Sequence, residues 1–222
     1  MSIKETKFYQ WLISYINLYA ALKLEYLTPW HKDKYGYFAK DAAINTPFYV
    51  SYYPGMFLYE NTNIYGHSKF ILAPGGGRFI MKKNSGCAMG LTVVTGNHST
   101  YPTIGKWHKE DFKERKGDVE KDIVVEEDVW LAANVTLLAG ATVGRGSVVG
   151  AGAVVRQSLP PYSICIGNPA KVIGFKFTPE EIIKHEEVLY SVDERLPLAL
   201  LEHNYEKYYC KKIKDIVKYL KL

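Results

Sequence analysis

From residue 125 onward, an aliphatic side chain returns at every sixth position: Val125, Leu131, Leu137, Val143, Val149 and Val155. The fifth position of each hexad is small or apolar (Val129, Val135, Ala141, Ser147, Ala153, Leu159), and the fourth is a turn former (Asp128, Asn134, Gly140, Gly146, Gly152, Ser158). A helix spaces its apolar residues by about 3.6 and an ordinary strand by about 2. A period of six fits neither. It fits a coil of short flat strands joined by tight turns, each strand sending one aliphatic side chain to the axis. Glycine, asparagine and aspartate suit the turns because they tolerate a positive φ. Three hexads close a triangular coil, so 125–160 predicts two coils stacked at the inter-strand spacing of about 4.8 Å. Each buried aliphatic contributes about 1.5–3 kcal/mol, and no single coil can bury its own face.

The same register recurs upstream at Met81, Cys87 and Val93, with Ser85, Leu91 and Asn97 at the fifth position. Ile64 and Phe70 are six apart but out of phase with Met81, which predicts an irregular first coil over 60–80. Between the two registered blocks, 99–122 is polar, charged and unperiodic, a loop that leaves the prism and folds over a site. Past the repeat, Thr178-Pro179-Glu180-Glu181 has the form of a capping box with proline at the first helical position, so a helix is expected over 179–190. One or two further helices are expected over 196–222, and an N-terminal helix over 3–24. The organisation expected is a helical and irregular segment 1–58, a β-helix 59–177 carrying the 99–122 loop, and C-terminal helices 178–222. The helices would cap the open ends of a mainly β prism.

Composition narrows the classes. The chain has 222 residues, 47% hydrophobic and 23% charged, ordinary for a globular protein. Its net charge of +5 owes much to the tail, where Lys207, Lys211, Lys212, Lys214, Lys218 and Lys221 face only Glu206 and Asp215. That cluster reads as a solvated helix face or as a patch for an acidic partner or coenzyme phosphates. No arginine-rich stripe or zinc-finger spacing speaks for nucleic acid. Cys87, Cys165 and Cys210 are odd in number and form no CxxC pair, which fits a reducing, cytoplasmic compartment. The apolar run 11–22 is too short to span a bilayer and is interrupted by Ser14 and Asn17. It reads as an amphipathic helix packed on the protein, with membrane contact the lesser reading.

The stretch DIVVEEDVWLAANVTLLAGATVGRGSVVGAGAVVRQSLPPYSICIGNPAKVIGFKF resembles the C-terminal half of the hexapeptide-repeat acyltransferases. These include galactoside, maltose, serine and streptogramin acetyltransferases and the O-acetyltransferases of capsule and lipopolysaccharide synthesis. Upstream, TGNHS resembles the catalytic histidine motif of that family. The resemblance implies a left-handed helix, against the right-handed rule for crossovers. It also implies a homotrimer with active sites between neighbouring prisms, and acetyl-coenzyme A as donor.

Acetyl transfer to a hydroxyl needs a base, donors for the oxyanion, and a site that aligns both substrates. His98, closing a hexad where the chain leaves the prism, is the candidate base. Asn97, Trp107 and His108 are candidates for contact with the acceptor, and Tyr101, Trp107 and Phe112 would suit stacking on a sugar ring. The resemblance places Trp130 beside the thioester, Ala133 and Ala151 against the pantetheine arm, and Arg156 and Lys171 near the nucleotide end, with Pro169-Ala170 by the adenine. Ala132 and Gly152 likewise lack bulk and let a narrow arm approach the backbone. Several relatives carry threonine where this chain has Arg156. Cys87 is at an inward position, which assigns it to the core and argues for direct transfer without an acyl-cysteine.

The expected activity is therefore acetyl transfer from acetyl-coenzyme A to a hydroxyl of a sugar or polysaccharide precursor. An amino-sugar nucleotide acetylated on nitrogen is an alternative that the residues leave open, as is a non-catalytic prism. A zinc enzyme of this fold would need three histidines, and His98 has only His108 near it in sequence, so no metal is expected.

Overall fold

The computed structural model describes residues 6–22, 31–97, 103–107, 109–110 and 119–211. From residue 37 to 166 the chain winds into a three-faced prism of short parallel strands. The first face stacks β1 (Tyr37–Phe38), β4 (Met56–Leu58), β7 (Phe79–Met81), β12 (Ile123–Val125) and β15 (Thr142–Val143). The second stacks β2 (Ala43–Ile44), β5 (Asn63–Ile64), β8 (Gly86–Cys87), β13 (Trp130–Leu131), β16 (Val148–Val149) and β18 (Ser163–Ile166). The last strand of that face, β19 (Lys171–Phe175), runs antiparallel to β18. The third face stacks β3 (Phe48–Val50), β6 (Ser68–Ile71), β9 (Thr92–Val94), β14 (Thr136–Leu138) and β17 (Val154–Val155).

All six first-position aliphatics, Val125 to Val155, are fully buried on the axis, and the fifth-position residues are buried beside them at the corners. The inward rows are continuous: Ile64, Cys87, Leu131, Val149 and Cys165 on the second face, Phe70, Val93, Leu137 and Val155 on the third. Where a fifth position is polar its hydroxyl is satisfied. Ser147 Oγ donates to Pro160 O at 2.9 Å, and Ser85 Oγ donates to Glu126 O at 2.6 Å while accepting from Val129 N. Five of the six fourth positions from Asp128 to Ser158, all but Ser158, take the left-handed backbone a tight corner needs, with φ of +55° at Asp128, +59° at Asn134 and +69° at Gly146.

The expected start of the β-helix at 59 moves upstream. A full coil from Tyr37 to Val50 precedes it, pairing Ile44 with Ile64 and Val50 with Phe70. Ile64 and Phe70 are inward, as their spacing suggested, but out of phase because residues 72–78 add an extra turn between β6 and β7. The upper end is plugged by Tyr35, Phe38 and Tyr53, whose rings meet edge to face at 4.8 and 5.0 Å.

The N-terminal helix α1 (Lys7–Leu22) forms where expected, but it does not pack as expected: Phe8, Trp11, Tyr15, Leu18 and Tyr19 are all exposed. Lys7, Gln10, Ser14 and Asn17 share one side of the helix, so it is amphipathic, yet its aromatic side stays exposed. At the lower end, α2 (Pro179–Leu189) begins with the expected capping box between Thr178 and Glu181 and proline in its first turn. α3 (Leu198–Tyr205) follows and runs into a π-helical turn, Glu206–Cys210. Tyr162, Ile182 and Leu201 form a second small core there, so these helices close the bottom of the prism.

Candidate active site

At the corner between the third and first faces the coil is interrupted. After β9 the chain makes β10 (Gly96–Asn97), and returns through β11 (Val119–Glu120), antiparallel to it, with Gly96 opposite Glu120 and Asn97 opposite Val119. Lys121 N donates to Thr95 O at 3.0 Å, closing the base. The excursion thus leaves and re-enters the prism at one point. Thr95 is wholly buried at that point, and among the described residues its Oγ1 has no hydrogen-bond partner.

The extra turn at 72–78 packs against the returning strand. A Cβ on Gly77 would stand 2.3 Å from the Lys121 carbonyl oxygen, so only glycine lets the two backbones approach this closely. Next to it, Arg78 Nη2 and Nε reach Asp122 Oδ2 at 2.6 and 3.0 Å, and Arg78 N donates to Oδ1 at 2.7 Å. These hydrogen bonds with Arg78 hold the Asp122 carboxyl below its ordinary pKa and raise that of the guanidinium. Sequence reading missed both the turn and this pair. The Gly75-Gly76-Gly77 run was the available signal.

His98 and His108 lie outside the described residues, as do Tyr101 and Phe112. Asn97 is placed through its backbone in β10. Trp107 is 80% exposed, and its backbone N–H donates to Glu110 Oε2 at 3.0 Å. The other candidate residues fall on other parts of the same prism. Trp130 is on the second face, 45% exposed, its ring lying over Gly86, where a Cβ would come within 3.2 Å. Ala133 and Gly152 are in consecutive coils at the corner between the second and third faces, joined by Gly152 N to Ala133 O at 2.9 Å. Ala151 and Gly152 are exposed, and open space surrounds the Cβ position of Gly152. That leaves a bare backbone edge which a slender ligand could approach. Arg156 is exposed just after β17, on the corner where β10 leaves the prism two coils above. Pro169 and Lys171 are exposed around the turn into β19, which is pinned by Ala170 N to Val154 O at 2.8 Å.

Within a single chain the TGNH corner and Trp130 therefore lie on different faces. Cys87 is fully buried, and burial pushes its thiol up to about 12, so no thiolate nucleophile is available there. Among the described residues no three histidine, cysteine or carboxylate side chains gather as a metal would need, and no helix is long and apolar enough to cross a membrane.

Residues 122–157 match the bacterial transferase hexapeptide (six repeats) model. No curated protein matches the chain by sequence. Solved structures do match in fold. A hexapeptide-repeat-containing acetyltransferase from Vibrio cholerae O1 biovar eltor, complexed with acetyl-coenzyme A, superposes with a TM-score of 0.59 at 20% identity, over 79% of this chain and 92% of that one. A maltose O-acetyltransferase from Clostridium difficile 630 gives 0.59 at 18% identity, over 78% and 90%. A galactoside acetyltransferase in complex with coenzyme A gives 0.59 at 18% identity, over 82% and 87%. The shared architecture is the left-handed parallel β-helix.

Proposed function

From a chain that carries the transferase hexapeptide repeat, wound into the prism of the hexapeptide-repeat acetyltransferases, we propose an acetyltransferase that moves acetyl from acetyl-coenzyme A to a hydroxyl of a sugar or polysaccharide precursor. The observation that carries this reading is the interrupted corner, where a loop with a closed base leaves the prism at Thr95-Gly96-Asn97, the residues directly before His98 in the sequence. In the reaction His98 takes the acceptor's hydroxyl proton, the oxygen attacks the thioester carbonyl, and the proton passes to the departing thiolate. Burial of Cys87 supports direct transfer between the two substrates. Asn97, Trp107 and His108 would meet the acceptor. Trp130, Ala133, Ala151 and Gly152 would receive the pantetheine arm, and Arg156, Pro169 and Lys171 the nucleotide end.

Trp130 and the TGNH corner are on different faces, so a complete site needs two chains, and we take the working unit to be a homotrimer. Three free cysteines suit the cytoplasm. The test is coenzyme A thiol release by the pure protein across a panel of sugars, nucleotide sugars and their amino counterparts, with His98→Ala alongside. Loss of a general base should reduce turnover by about 10²–10⁴. Full activity in His98→Ala would remove the assignment, and release only with amines would move the acceptor from oxygen to nitrogen.

A further inference from the structure

Below β17 the chain forms a cleft of about 320 Å³ between the end of the repeat, the turn into β19 and the C-terminal helical segment. Among the described residues three lysines line it, Lys171 from β19 and Lys207 and Lys211 from the segment after α3, and no carboxylate does. Among the described residues none of the three forms an ion pair. Lys207 Nζ lies 4.8 Å over the ring of Tyr208, which is itself packed against the prism core. Leu159 and Val172 give the cleft an apolar floor.

Lysines on a merely solvated helix face point away from one another into water. Here two, four residues apart and so one helical turn from each other, converge with a third from a strand on one concave surface. Unneutralised positive charge in a concavity favours an anion. An aromatic ring and apolar floor beside it favour an anion attached to a planar base. Gln157, in the lining, directly follows Arg156, and Lys171 follows Pro169-Ala170, so the cleft continues the track assigned to the nucleotide end.

We propose that this cleft holds the phosphate-bearing nucleotide end of the coenzyme A donor, with Lys207 and Lys211 supplying the cations and Tyr208 a ring for the base. The C-terminal helical segment, outside the repeat, is then part of the donor site as well as a cap. This rests on the donor reading above.

The experiment is calorimetric titration of coenzyme A into the full chain, comparing wild type with Lys207→Ala/Lys211→Ala and Lys207→Arg/Lys211→Arg at low and moderate salt. The alanine pair should weaken binding tenfold or more, the arginine pair should retain most of it, and added salt should weaken wild type more than the alanine pair. Equal affinity of wild type and the alanine pair would overturn the inference, as would equal losses in both pairs, since the lysines would then act through packing. Failure of wild type to bind coenzyme A at all would instead remove the donor reading, and this inference with it.

Discussion

The guanidinium of Arg78 closes on the carboxylate of Asp122 through two nitrogens, at 2.6 and 3.0 Å, joining the extra turn of the second coil to the point where the loop re-enters the prism. Two irregularities of the repeat thus meet at one corner, and it is the corner that carries the TGNH motif.

Asp122→Ala should leave coenzyme A affinity unchanged and lower kcat/KM for the acceptor by about tenfold, because positioning errors cost rate far more than stability. Hydrogen exchange at the Gly96 and Glu120 amides should quicken in the same variant. Unchanged kinetics would mean the pair does not position the loop. Because the folded-state pKa of Asp122 is depressed, its contribution to stability is present above the unfolded carboxylate pKa of about 4 and is lost as pH falls through the folded value. In Asp122→Asn, acid unfolding should therefore depend less on pH below about 4.

Two glycines with nearly the same backbone should answer differently to alanine. Gly152, at φ +70°, faces open space, so Gly152→Ala should cost about 1–2 kcal/mol from the left-handed conformation alone. Gly146, at φ +69°, has the buried ring of Tyr162 2.5 Å from its Cβ position, so Gly146→Ala should cost about 2–5 kcal/mol. Urea unfolding midpoints of the two variants would rank them, and a reversed order would refute the packing argument.

Glu186 is fully buried and accepts from Tyr162 Oη at 2.9 Å, from Leu196 N at 2.6 Å and from Arg145 Nη1 at 3.2 Å. Glu186→Ala strands the Tyr162 hydroxyl and the Leu196 amide and takes one of the partners of Arg145, which keeps Glu127 and the Glu194 carbonyl, and should cost about 3–5 kcal/mol. Glu186→Gln keeps an acceptor and should cost less. Denaturant titration is the measurement, and a loss under about 1 kcal/mol in Glu186→Ala would show the contacts to be dispensable.

Thiol labelling separates the cysteines. Cys87 and Cys165 are buried, and burial raises both thiols, whereas Cys210 is only half-buried. At pH 8 a maleimide should modify Cys210 first and reach the other two only on unfolding. Rapid labelling of Cys87 in the folded protein would reopen the acyl-cysteine route.

The hexad made 81–97 and 125–159 legible because each position has one physical task, and a six-residue period leaves no other fold that buries all the aliphatics. The first coil keeps the six-residue spacing at Phe38, Ile44 and Val50, but Phe48 fills the position that Ser68 holds in the next coil, and its corners use Thr46-Pro47 and a 3₁₀ turn at Tyr53–Gly55, so its turns carry no matching signature. Thr178 and Glu181 announced α2 by local capping alone. α1 formed but did not pack, because a helix signal fixes backbone conformation and says nothing of what covers its side chains. Of the candidate site, the motif residues were readable in sequence. The Arg78–Asp122 pair and the cleft of Lys171, Lys207 and Lys211 were not, since each joins residues from different elements and no period links them.

On the third face Val93 pairs with Leu137, 44 residues on, and Leu137 with Val155, 18 on. Because the excess departs and returns through facing Gly96 and Glu120, the stacking below resumes in phase. The prism therefore behaves as a chassis and the loop as an exchangeable cassette. A graft at 97 and 119 would replace the loop while the coils downstream stay in register, so on the proposed function the acceptor side can diversify without disturbing the donor side.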